Sequence, residues 1–251
     1  MRFYMYLFLL FAVPATHAAV CDPNAFQGDY GLLLTGTTTI GGPPRAVVVV
    51  GRLALDGYGG LSGVSSAGFT GLILGNPVTG KYEAHTDCSV TWTMQDSSGN
   101  LQHFAGLMRA DGSRIAFGQT DQGGAGNGTL LRTMNRCSES SLAGLFQLTA
   151  SGVAVDVITG TTAGRISVRG LLAANGARKL TLASAPDDPP LATGTYDVQD
   201  DCFVMLELGL PAQSQGAPAM HFRAILADSG REVLGIQTDP GTVVALRLLS
   251  Q

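Results

Sequence analysis

Residues Gly194–Val204 read GTYDVQDDCFV, and residues Gly80–Val90 read GKYEAHTDCSV; the two stretches agree at five of 11 positions. Working outward, Gly51–Leu61 (GRLALDGYGGL) matches Gly170–Leu180 (GLLAANGARKL) at five of 11 positions, and His103–Gly123 matches His221–Gly241 at seven of 21. The three blocks keep their order at offsets of 119, 114 and 118 residues, so only loop-sized insertions separate the copies. Self-similarity at a fixed period marks a duplicated structural unit. Each copy also opens alike: Cys21 precedes Phe26, Gly28 and Tyr30, while Cys137 precedes Leu142, Gly144 and Phe146. The copies are placed at 19–132 and 137–251, with the short joint Thr133–Arg136 between them.

Inside each copy the apolar period is two. Cys88, Val90, Trp92 and Met94 alternate with Ser89, Thr91, Thr93 and Gln95, the pattern of a half-buried strand with Trp92 on its apolar face. Runs such as Arg45–Leu55 (RAVVVVGRLAL) and Thr242–Leu249 (TVVALRLL) are short and rich in β-branched or aliphatic residues. Asp56-Gly57 and Asn175-Gly176 hold the same repeat position and favour a two-residue hairpin turn; Asp111-Gly112 and Ser229-Gly230 mark another shared hairpin. About seven to nine strands fit each copy, and no amphipathic helix is evident. The expected fold is all-β, two tandem small antiparallel β-barrels with β-sandwiches as runner-up, each copy burying its own apolar layer.

Composition suits short strands joined by tight turns. The chain carries 34 glycines and only 14% charged residues. Arg2 precedes the 11-residue apolar stretch Phe3–Val13, and Pro14 and small residues follow; this reads as a signal peptide over 1–18, cleaved after Ala18. The stretch is too short for a bilayer span of about 20 residues, and no later segment supplies one. Cys21 lies just past that point, but Val20 precedes it where a lipoprotein signal wants Gly, Ala or Ser. The net charge of −4 becomes −5 once Arg2 is removed. Without a basic stripe the protein has no means of holding a phosphate backbone, which argues against nucleic acid.

The four cysteines fall as repeat-equivalent pairs, Cys21 with Cys137 and Cys88 with Cys202. Four cysteines allow three pairings. The duplication ranks Cys21–Cys88 and Cys137–Cys202 first, at separations of 67 and 65 residues. Disulfides fit an oxidising compartment. The short ligand spacings of a zinc site are missing, so no metal and no cofactor are expected.

Candidate chemistry is sparse. Asp87-Cys88 and Asp201-Cys202 would set an acid beside a thiol, but a carboxylate raises a thiol's pKa and each cysteine has a disulfide partner. His103 and His221 each head a strand, where an imidazole commonly bonds a loop. Gln119-Thr120-Asp121 and Gln237-Thr238-Asp239 end strands; their aspartates can accept backbone N–H bonds and organise a turn. The alternative places Gln119, Asp121, Gln237 and Asp239 on ligand-facing loops at a barrel mouth. No nucleophile elbow, phosphate loop or calcium loop is present. Asn127-Gly128-Thr129 fits the glycosylation triplet.

Gly194–Cys202 and Gln237–Gly241 resemble elements of a group of uncharacterised exported bacterial β-domain proteins; the first copy departs with Glu83-Ala84 and with Gln122 in place of proline. The resemblance implies no activity. An eight-stranded barrel of this length is also similar to avidin-like and allene-oxide-cyclase-like barrels, a likeness of fold that carries no function. With no catalytic set shared by the copies, the reading leans away from an enzyme. The expectation is a secreted, periplasmic or cell-surface binding or structural module. A barrel binding a small apolar ligand is the alternative, and an isomerase- or cyclase-like barrel ranks third. An interior cavity of ~300 Å3 or more would favour ligand binding over a cell-surface partner alone.

Overall fold

A computed structural model describes residues 20–39, 43–209 and 219–251. The segment read as a signal peptide lies outside the described residues. The first copy runs through β1 (Gly28–Thr38), β2 (Arg45–Leu55), β3 (Gly60–Gly68), β4 (Leu72–Ala84), β5 (Ser89–Asp96), β6 (Leu101–Met108), β7 (Arg114–Gln119) and β8 (Asn127–Arg132). The second runs through β9 (Ala143–Val155), β10 (Thr162–Asn175), β11 (Lys179–Ala183), β12 (Ala192–Val198), β13 (Phe203–Gly209), β14 (Met220–Ala227), β15 (Glu232–Gln237) and β16 (Thr242–Ser250). Within each copy every strand pairs antiparallel with its chain neighbours, and the last strand returns to the first. Leu32 faces Leu130 across β1 and β8, and Leu148 faces Leu248 across β9 and β16. Both sheets are closed barrels. Closure pairs every edge, which a sandwich of the same strands would leave open.

The turns follow the expected positions but not always the expected length. Asp56-Gly57 and Asn175-Gly176 do not make two-residue hairpins: residues 56–59 and 176–178 connect the strands. The cause is the side chain. Asp56 Oδ1 accepts the N–H groups of Tyr58 and Gly60 at 2.7 and 2.9 Å, and Asn175 Oδ1 accepts those of Ala177 and Lys179 at 2.8 and 3.0 Å. These bonds stabilise a wider loop than two residues can form.

One end of each barrel is plugged and stapled. In the first, the disulfide Cys21–Cys88 ties the entering chain to the β4–β5 turn, and a 3-10 turn at Pro23–Ala25 seats Phe26 edge-on to Tyr30 and Tyr82. In the second, Cys137–Cys202 does the same, and the Tyr196 hydroxyl donates to the Leu142 carbonyl at 3.0 Å. Cys88 and Cys202 both adopt left-handed backbone, with φ of 70° and 69°. The preceding aspartates explain how: Asp87 Oδ1 accepts the Ser89 N–H, and Asp201 Oδ1 accepts the Phe203 N–H, bridging the strained residue. The aspartates are turn formers.

The interiors are separate. Tyr30, Leu32, Leu53, Val90, Trp92 and Phe104 belong to the first barrel's core, where Trp92 stacks on Phe104 and meets Phe117 edge-on. A further apolar layer joins the barrels. Leu33, Val48, Val50 and Leu131 have the opposite parity to the first core and cluster instead with the second copy. There β1–β3 of the first barrel meet β14–β16 of the second. Hence all six residues of β15 are buried: Val233, Gly235 and Gln237 alternate with Glu232, Leu234 and Ile236, and both faces are covered. Gly31 allows the close approach, since a Cβ there would stand 2.9 Å from Ile225 Cγ2. The expectation that each copy buries only its own layer is corrected accordingly: a second set of aliphatics serves the contact between copies.

One charge sits in that contact. The Glu232 side chain is 2% exposed, and its Oε2 accepts from Arg114 Nη2 at 2.5 Å across the junction. Its Oε1 accepts from Arg247 Nε of its own barrel at 2.5 Å. Arg114 and Glu232 stand 118 residues apart, the repeat offset itself, so one ancestral position has diverged into two opposite charges that meet.

Candidate functional site

Opposite the stapled end, the end of β1, the start of β2 and the hairpins following β3, β5 and β7 surround the mouth of the first barrel. A cavity of about 250 Å3 opens there. Its walls are the inward side chains of Leu34, Val47, Val49, Val78 and Met94, set by the period-two alternation of their strands. Its rim is polar, carrying Arg45, Asn76, Asp96, Gln102 and Gln119. The interior is therefore neither fully packed nor open from end to end: Trp92, one inward position deeper than Met94 on β5, is buried with Phe104 and Phe117.

The Gln-Thr-Asp segments make the same knot in both barrels. Asp121 accepts the His103 backbone N–H on Oδ2 at 2.8 Å and lies 2.7 Å from His103 Nδ1 through Oδ1. Gln119 Nε2 donates to Oδ2 at 3.2 Å. In the second barrel Asp239 holds the His221 N–H at 2.9 Å, His221 Nδ1 at 2.7 Å and Gln237 Nε2 at 2.8 Å. Burial by itself would raise the pKa of both aspartates. The hydrogen bonds from histidine and glutamine outweigh it, and both carboxyls fall below their ordinary value. The arrangement clasps the start of one strand to the end of the next.

Of the four residues placed on mouth loops by sequence, Gln119 lines the cavity, while Asp121 holds Gln119 from outside it. Gln237 and Asp239 form the equivalent clasp of the second barrel. All four cysteines are in disulfides, so no thiol nucleophile exists. Among the described residues no cluster of three or more His, Cys, Asp or Glu side chains is placed to hold a metal ion.

Sequence reasoning missed the remaining rim and walls. Arg45, Val47 and Val49 share one parity of β2 and line the cavity, whereas Val48 and Val50 belong to the inter-barrel layer. A strand apolar on both faces hides its alternation. The rim also distinguishes the copies. Met94 pairs with Gln102 in the first barrel, and the equivalent pair in the second is Leu208 with Met220. Thr38 pairs with Arg45, and its equivalent Ala154 pairs with Gly164.

Exposed aliphatics flank this mouth. Leu72, Ile73 and Leu74 open β4, and Val157 and Ile158 project from the β9–β10 loop. The β3–β4 and β9–β10 loops meet at Thr70 and Gly160, where a Cβ on Gly160 would lie 2.6 Å from Thr70 Cγ2.

Fold and site together define a tandem eight-stranded β-barrel protein, each barrel stapled at one end, with a cavity at the open end of the first. No protein-family model and no curated protein matches the sequence. Among solved structures, the isotype 1 transferrin binding protein B from serogroup B Neisseria meningitidis shows 8% identity and a TM-score of 0.34. That likeness covers 90% of this chain and 75% of the other. Among the described residues no helix is long and apolar enough to cross a membrane.

Proposed function

We propose that this is an exported, non-catalytic binding protein that takes a small, largely apolar molecule into the mouth of its first barrel. One observation carries the reading: an aliphatic-walled cavity with a polar rim at the open end of a stapled barrel. Ligand sites have this character, mostly apolar walls with a few polar groups that fix orientation. The volume of about 250 Å3 falls short of the ~300 Å3 taken as favouring a ligand, so the ligand is smaller than a drug-sized molecule. The two disulfides support export to an oxidising compartment. Cleavage after Ala18 belongs to the same proposal, and the intact mass of the exported protein reads it directly.

A neutral apolar fluorophore, N-phenyl-1-naphthylamine, tests the site. It should bind one per chain with enhanced emission, and Val49→Phe, which fills the cavity, should abolish the enhancement. Val168→Phe at the equivalent position of the second barrel should leave it intact. Undiminished binding by Val49→Phe would place the site elsewhere and defeat the proposal.

A further inference from the structure

We infer that the ligand of this cavity is a short amphiphile bearing a carboxylate, its chain against the aliphatic wall and its carboxylate on Arg45. The inference rests on the proposed binding role of the first barrel and specifies the chemistry that the mouth selects.

Arg45 heads the inward row of β2, in line with Val47 and Val49, so its guanidinium stands at the top of an apolar wall. Its Nη1 donates to Thr70 Oγ1 at 3.3 Å, and among the described residues it forms no salt bridge. A guanidinium offers five N–H donors in a planar fork that matches a carboxylate. The acid on the rim does not take that role. Asp96 lies on β5, three strands away round the barrel, and its carboxylate is turned to its own hairpin. Oδ1 accepts the Ser98 and Asn100 N–H groups at 2.9 Å each, and Oδ2 accepts Asn100 Nδ2 at 2.8 Å. Among the described residues the rim carries two charges, Arg45 and Asp96, and the Asp96 carboxylate is taken up by its own hairpin.

The second barrel lies beside that cation without duplicating it. The β9–β10 loop passes over Thr70 and Arg45 at Gly160, whose φ of +73° suits glycine and whose added Cβ would stand 3.5 Å from Arg45 Nε. The equivalent of Arg45 in the second barrel is Gly164, and the equivalent of Gln102 is Met220. The carboxylate site is therefore particular to the first copy. A cavity of about 250 Å3 suits a chain of roughly eight carbons, below the ligands of ordinary pockets.

The experiment compares octanoate, octanol and octylamine on the full mature chain by calorimetry, with the emission of Trp92, the single tryptophan, as a second readout. Octanoate should bind at least about tenfold more tightly than octanol, the usual size of a charge-assisted hydrogen bond, and octylamine no more tightly than octanol. Arg45→Met should bring the ratio of octanoate to octanol affinity down to about one; Arg45→Lys should retain part of the preference. Equal binding of octanoate and octanol by the wild type, or an undiminished preference in Arg45→Met, overturns the carboxylate assignment while the cavity stands. Failure of all three, together with failure of N-phenyl-1-naphthylamine, overturns the binding role itself.

Discussion

Glu232→Ala is expected to destabilise the whole molecule and not the second barrel alone. The carboxylate is buried and bonded by two arginines, Arg114 from the first barrel and Arg247 from the second. Removing one partner of a fully buried pair costs about 3–5 kcal/mol because the other charge is stranded. Here the arginine side chains are 33% and 41% exposed, so water partly re-solvates them once the acid is gone. Discounting for that leaves about 2–3 kcal/mol, which for a domain pair of this size lowers the melting temperature by roughly 4–12 °C. Differential scanning calorimetry of wild type, Glu232→Ala, Arg114→Ala and the double variant measures it. The double variant should cost less than the sum of the singles by about 1 kcal/mol or more, since one contact is counted twice. The wild type should melt in one transition, because the aliphatic layer around Val50 and Ile236 couples the barrels. Additive costs, or two independent wild-type transitions, would refute the reasoning.

The clasps carry a pH dependence. Asp121 and Asp239 have native pKa values below the unfolded value near 3.9, so their contribution is complete above about pH 4 and is lost as pH falls through the native pKa. Asp121→Asn combined with Asp239→Asn should lower the urea midpoint at pH 6 and flatten its fall below about pH 4; an unchanged acid limb would contradict the clasp assignment. At the stapled end, Cys21→Ala with Cys88→Gly should be more stable than Cys21→Ala with Cys88→Ala by about 1 kcal/mol, because glycine adopts φ near +70° without strain. Equal urea midpoints for the two double variants would argue against the left-handed turn.

Much of the fold was legible because duplication repeats its own signals. Cys21, Cys88, Cys137 and Cys202 fall into register, and the structure pairs them as that register ranks them. Alternation around Trp92 identified an inward face, and the clasp residues stood out as Gln-Thr-Asp in both copies. Hairpin lengths at Asp56 and Asn175 depart from the two-residue pattern because a carboxylate or amide can accept two backbone N–H groups and widen a loop. Arg114 and Glu232 were aligned by the repeat without any sign that they touch, since alignment relates positions and not neighbours.

Chain order and residue period alone determined that this protein is two copies of an antiparallel β unit with one staple each, because backbone pairing and side-chain alternation are local properties. Barrel closure, the apolar layer between copies and the cavity under Arg45 were decided only by tertiary structure. Each depends on which side of a strand meets another strand far along the chain. A run such as RAVVVV, apolar on both faces, does not say which valines line a cavity and which bind the neighbouring barrel.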